Sequence, residues 1–195
     1  MPPKKKFTKE QIIEKGFEIA KTEGIESITA RKIADELGCS VAPIYVNFND
    51  IEDLKRAVVS EIFKLARNLS QKEYTGDIFL DIGIASLKFA REYSVLFREL
   101  VLMKNQYMDH YDQELGNEII DKIIEDKELN GFSKEEVGTV FLKMRIFQLG
   151  LSAMVANEQL PKDFDEEKQI ELLKCTGEDV IQSTRLKKQK RKGDE

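Results

Sequence analysis

Apolar residues recur along this chain every three or four positions, and the polar residues between them sit where helix caps and breakers belong, without the alternation of strands. Thr8 and Gln11 have the spacing of a capping box, with Phe7 and Ile12 at the two positions of a hydrophobic staple, so a first helix is predicted from about Thr8. Its stripe of Ile12, Ile13, Phe17 and Ala20 runs towards Gly24, a residue type suited to the position just past a helix. A second helix is predicted after Thr29 as N-cap, with Ile33, Ala34 and Leu37 on one face. Gly38 ends it, because a residue without a Cβ takes the left-handed conformation at no steric cost. Ser40 is placed to cap a third helix that buries Val41 or Ile44 together with Phe48. Pro43 falls in the first turn of that helix, where a backbone nitrogen has no helical partner to lose.

Beyond residue 48 the predicted helices lengthen. Asn49 or Asp50 caps one that runs to about Tyr74, striped by Leu54, Val58, Ile62, Leu65 and Leu69. Others are predicted at 76–92, 94–105 and 107–128, and a second capping box, Ser133 with Glu136, opens one to about Asn157. Pro161 breaks the chain, and Asp165 caps a last helix that ends near Leu186. The pattern predicts an all-α protein. Residues 1–48 form a three-helix domain, 49–186 a larger helical domain, and 187–195 a basic tail expected to be disordered.

Two short helices joined by a tight turn, as predicted over 29–48, are the layout that places a helix in a DNA groove. The run from Ile28 to Leu54 also resembles the N-terminal domain of the TetR family of transcriptional regulators, with the Ile33-Ala34 pair, Gly38, Tyr45, Phe48 and Leu54 in register with the family pattern. The likeness covers about the first quarter of the chain. Three positions depart from the pattern: Ile51 stands where the family has a lysine, Asn47 where it commonly has a histidine, and Ala42-Pro43 where Gly-Thr is frequent.

The resemblance implies a helix-turn-helix DNA-binding domain followed by a ligand-binding and dimerisation domain. Thr29, at a helix N-terminus with free backbone N–H groups, suits a phosphate oxygen, and Tyr45 matches the family position whose hydroxyl does the same. Asn47 can donate to phosphate, and Arg31 aligns with a family arginine that reaches a guanine or a phosphate. Val41, Ala42, Pro43 and Val46 offer apolar surface able to meet thymine methyl groups, with Ser40 at the start of the recognition helix. Lys6, with Lys4 and Lys5, is either a minor-groove arm or a solvated terminus.

Charge changes the picture less than its total suggests. The formal net charge is −5, but residues 1–60 hold ten basic against ten acidic side chains and 61–184 hold fifteen against twenty-four. The acidic excess thus lies away from the helix-turn-helix, near which Lys9, Arg31, Lys32, Lys55 and Arg56 gather. Residues 185–195 carry six basic against two acidic groups and read as a solvated end or a non-specific nucleic-acid contact. Cys39 and Cys175 are far apart in sequence and read as reduced thiols of a cytoplasmic protein. No apolar run is long enough for a membrane span, and the lysine-rich start lacks the apolar stretch of a signal peptide.

The helix predicted at 134–157 is apolar on two faces. Val137, Val140, Phe141, Met144, Gln148, Leu151 and Val155 form one, and Leu142, Ile146, Leu149, Ala153 and Ala156 the other, so burial on both is expected. With Ile170, Leu173, Gly177, Val180 and Ile181 of the last helix, the second face is expected to build a four-helix homodimer interface of the kind the family resemblance implies. The first face is expected to share a cavity with Phe97 and Tyr107, giving Phe97, Tyr107, Phe141, Met144 and Gln148 as ligand-contacting residues, with Arg145 in second place.

An enzyme is poorly supported. His110 is the one histidine, no second histidine or neighbouring cysteine offers it a metal or a nucleophile, and no phosphate-binding glycine loop occurs, so no catalytic residue, metal or cofactor is assigned. The expectation is a homodimeric DNA-binding repressor of a near-palindromic operator, released by a small-molecule effector. The alternative is a helical interaction protein of the same fold with weakened or lost DNA binding, to which Ile51 and the apolar third helix lend weight.

Overall fold

The computed structural model of the chain describes residues 7–72, 74–108 and 129–193. These residues are helical, with no strand among them, in the order α1 (Lys9–Glu23), a 3-10 turn (Ile25–Ser27), α2 (Ala30–Leu37), α3 (Ala42–Asn47), α4 (Ile51–Ser70), α5 (Ile78–Glu92), α6 (Ser94–Phe97, continued by a π-helical turn Arg98–Leu102), α7 (Lys134–Ala156) and α8 (Glu166–Gly193). The helix predicted at 107–128, with His110, falls almost wholly outside the described residues, as does Lys6.

Local signals set most helix starts. Thr8 Oγ1 accepts from Gln11 N while Gln11 Oε1 accepts from Thr8 N, and Ser133 with Glu136 repeats the arrangement at α7. Asp50 Oδ1 accepts from Asp53 N at 2.7 Å to open α4, and Asp165 Oδ1 accepts from Lys168 N at 3.0 Å to open α8. At α3 the cap differs from the expectation: the N-cap is Val41, not Ser40, and it makes no side-chain hydrogen bond. Pro43 in the first turn lowers the number of N–H groups that need a partner, so the missing cap costs less there.

The chain forms two compact units. The first holds residues up to Asn68 and 93–108, a division that differs from a boundary at residue 48. The reason is burial: Leu54, Val58 and Ile62 of α4, and Leu96, Phe97 and Leu100 after α5, are as inaccessible as Ile12, Ile33, Ile44 and Phe48 of the three-helix bundle. A side chain cannot be added where these helices meet at Gly16, because its Cβ would lie 2.7 Å from Val58 Cγ2.

The second unit comprises Leu69–Glu92 and the described residues from Leu129 on, with α5, α7 and α8 packed on one another. Two apolar clusters fill it. Leu129, Val137 and Val140 pack with Phe79, Phe132, Phe141, Val180 and Ile181, and Leu87, Leu151 and Leu173 with Leu80, Phe147 and Val155. Asp81 is buried and accepts from Tyr74 N, Thr75 N and Thr75 Oγ1 at 3.1, 2.8 and 2.7 Å, tying the turn before α5 to its first residues. Helix α8 runs on to Gly193 in place of the expected disordered tail; Lys188 donates to Gly131 O and, at 2.9 Å, to Glu136 Oε2. The first hydrogen-bonded carboxylate of α7 is thereby stabilised as the anion: the Ser133 backbone N–H and then Lys188 hold the Glu136 pKa below the ordinary carboxylate value.

Candidate nucleic-acid interface and ligand cavity

In the first unit, the Thr29 hydroxyl accepts from Lys32 N at 3.1 Å and starts α2. Gly38 closes the helix with φ +64°, donating its N–H to Asp35 O, and Cys39 N returns to Ala34 O at 2.9 Å. This is a tight left-handed turn that only glycine enters without strain. It delivers α3 with Ile44 and Phe48 locked into the core and the opposite face turned to solvent: Val41 is 41%, Tyr45 55% and Val46 84% exposed. Thr29, Arg31, Ser40 and Ala42 are exposed beside them, and Pro43 is half-buried.

Asn47 behaves differently from the expectation. Its Nδ2 donates to Pro43 O at 2.8 Å and to Phe7 O at 3.4 Å, so the amide hydrogens meant for a phosphate are committed to the backbone of the head. Several cations near this surface are likewise engaged within the unit. Lys9 lies 5.0 Å over the Phe48 ring, Lys32 pairs with Glu23, and Arg56 stands 3.8 Å from Asp53. Lys55 is buried between Glu26 Oε2 at 2.7 Å and Glu52 Oε1 at 3.2 Å. Burial acts to lower the pKa of that ammonium, but the hydrogen bonds it donates to Glu26 and Glu52 outweigh it and hold the pKa above the ordinary lysine value.

The residues expected to line a ligand cavity are divided between the units. Phe97 is buried in the first, and Tyr107, also there, has its hydroxyl 3.5 Å from Glu52 Oε2 with burial pushing the phenol pKa up. Phe141, Met144 and Gln148 belong to the second unit, where they line a cavity of about 340 Å³ together with Arg145. Its other walls are Phe79 and Ile82 of α5 and Gly177 and Ile181 of α8, and Asp77, Lys174, Glu178 and Arg185 add charge. The cavity therefore contains three of the five expected residues and not Phe97 or Tyr107.

Of the α8 residues expected at a dimer interface, Leu173, Gly177, Val180 and Ile181 also have contacts inside the subunit. Leu173 is in the core with Leu87 and Leu151, Val180 and Ile181 pack against the Val137 cluster, and a Cβ on Gly177 would touch Phe79 and Met144. On α7 Val137, Val140, Met144 and Leu151 of the first face are buried and Leu142 and Ile146 of the second are 57% and 64% exposed, but Ala156, expected on the second face, is buried in the core. Gly150, beside them, has open space where a side chain would stand.

No family model matches the chain, and no curated protein matches it in sequence. Solved structures do. The fatty acid degradation regulator FadR from Bacillus halodurans superposes with a TM-score of 0.59 over 91% of this chain and 97% of its own, at 16% identity. The ketosteroid transcriptional regulator KstR2 of Mycobacterium tuberculosis covers 90% of this chain and 93% of its own with a TM-score of 0.48 and 12% identity. The chain therefore shares its all-helical fold with the regulator FadR from Bacillus halodurans.

Proposed function

We propose that the protein is a cytoplasmic, homodimeric transcriptional regulator of the TetR type that binds a near-palindromic operator through α2 and α3 and is released by a small molecule. The observation that carries this reading is the outward face of α3: a six-residue helix held by Ile44 and Phe48 presents Val41, Ala42, Tyr45 and Val46 to solvent after a glycine turn. That is the form in which a recognition helix enters a major groove. Thr29 and Tyr45 would hold phosphates, and Arg31 a phosphate or a guanine, while Asn47 is left out of the contact set because its donors are occupied.

The exposed stripe of Leu142, Ile146 and Leu149 on α7 supports pairing with a second copy, and Leu172 and Leu186 of α8 are exposed apolar residues as well. The second-unit cavity, apolar in its walls with Gln148 and charged groups among them, suits an amphipathic effector. Such an effector would act by preferring the arrangement of the dimer in which the two heads no longer match the operator, so its differential affinity sets the loss of DNA binding.

Selection of bound duplexes from a random pool by the full chain tests the reading. Two inverted half-sites about one helical turn apart are expected. Failure to enrich any sequence would favour the interaction-protein reading, which the internal pairing of Lys32 and Lys55 supports.

A further inference from the structure

We propose that Val46 reads the 5-methyl group of one thymine in each half-site, so that the recognition helix selects its operator through methyl contact and not through side-chain hydrogen bonds. The proposal rests on the DNA-binding reading and gives it a chemical basis for sequence choice.

Helix α3 spans Ala42–Asn47, and the only side chains within it that can hydrogen-bond are Tyr45 and Asn47. Asn47 is spent on Pro43 O and Phe7 O. Rotating its amide outward would strand those carbonyl contacts in a half-buried site, so base reading by Asn47 carries a cost that a base contact must first repay. With Tyr45 given to a phosphate, what α3 offers a base edge is Val46, 84% exposed, with Ala42 of the same helix and its N-cap Val41 also exposed. Among the groups on the major-groove edge of DNA only thymine carries a methyl; beside it stand the small C5–H of cytosine and donors and acceptors that an exposed valine leaves unpaired. A valine at the most projecting position therefore favours thymine and disfavours the other bases at the step it meets.

Electrostatics point the same way. Lys9, Lys32 and Lys55 of the head are engaged with Phe48, Glu23 and the Glu26/Glu52 pair, so fewer cations are available to neutralise phosphates than their number in the sequence implies. Apolar contact then supplies a larger share of the affinity, and its dependence on salt is correspondingly shallow.

The test uses the full chain and the operator enriched from a random pool, with each thymine replaced in turn by deoxyuridine, which removes the methyl and nothing else. One thymine per half-site is expected at which this change weakens binding about fourfold, and about fifteenfold when both half-sites are changed, the effect of one buried methyl-sized group. Val46→Ala, a surface truncation, is expected to weaken binding to the thymine operator while abolishing the deoxyuridine effect at that position and leaving other positions unaltered. An unchanged methyl penalty in Val46→Ala, or a wild-type protein indifferent to deoxyuridine everywhere, overturns this inference and leaves the regulator reading standing. Failure to enrich any DNA overturns both.

Discussion

The Glu99 carboxylate closes the turn ahead of the helix-turn-helix: Oε2 lies 2.7 Å from Ile25 N and Oε1 3.4 Å from Glu26 N. Residues 24–26 leave α1 through a glycine at φ +90°, and Ile25 is buried, so its N–H has no access to water as a substitute partner. The carboxylate comes from the π-helical turn that follows α6. A contact between residues 74 positions apart thus fixes the turn from which α2 and α3 depart.

Glu99→Ala is expected to destabilise the protein by about 1–3 kcal/mol, because a buried donor is left unpaired, whereas Glu99→Gln keeps an acceptor and loses less. Gly24→Ala is expected to be destabilising for two reasons: the positive φ, and a Cβ placed 2.8 Å from Glu99 Oε2. Urea melts of the three variants check this, and equal losses for Glu99→Ala and Glu99→Gln would deny the acceptor role.

Lys55 gives a pH dependence with a definite sign. Its pKa is raised in the folded protein by Glu26 and Glu52 against the opposing effect of burial, from an ordinary value of 10.5. The stabilisation is therefore complete below that value and is lost as pH rises through the higher folded pKa. Lys55→Met is expected to cost about 1 kcal/mol at neutral pH, since both carboxylate partners remain largely in water. The difference in stability between wild type and variant should shrink in strongly alkaline solution; a difference that stays constant would show that only the alkyl stem of Lys55 matters.

Ile146→Glu tests the assembly. The residue is 64% exposed in the single chain, so a carboxylate there is tolerated by the fold and penalised only where a second copy covers the stripe. Sedimentation velocity is expected to show monomers for the variant and dimers for the wild type, with loss of operator binding because one head reads one half-site. A variant that remains dimeric would place the interface on another surface.

Gln148→Leu tests the cavity. If Gln148 orients an effector, the change should leave the melting temperature nearly unaltered and weaken release from DNA by that effector. A loss of about 1 kcal/mol or more without ligand, with release unimpaired, would make Gln148 a structural residue.

The features legible in the order of residues are those whose causes lie within a few positions of one another. The Thr8/Gln11 and Ser133/Glu136 capping boxes, the Thr29 cap and the left-handed Gly38 depend on spacings of three or four positions and on the conformational range of glycine, so they are legible without knowing what packs against what. Val46 and Tyr45 on the outer face of α3 follow from the same periodicity once Ile44 and Phe48 are assigned inward. Tertiary structure alone decided the rest. A helix apolar on most sides does not declare which side its own subunit covers, and for α7 that was settled by the burial of Val140 and Met144 and the exposure of Ile146. Gly177 reads equally as a contact point for another copy or for Phe79, because close approach needs a small residue in either case. Phe97 and Tyr107 share the aromatic spacing of a cavity wall, yet they were drawn into the first unit by its core and by Glu52. Asn47 and Glu99 carry ordinary polar side chains whose partners, Phe7 and Ile25, lie 40 and 74 residues away, and a long-range pairing leaves no periodic trace in the sequence.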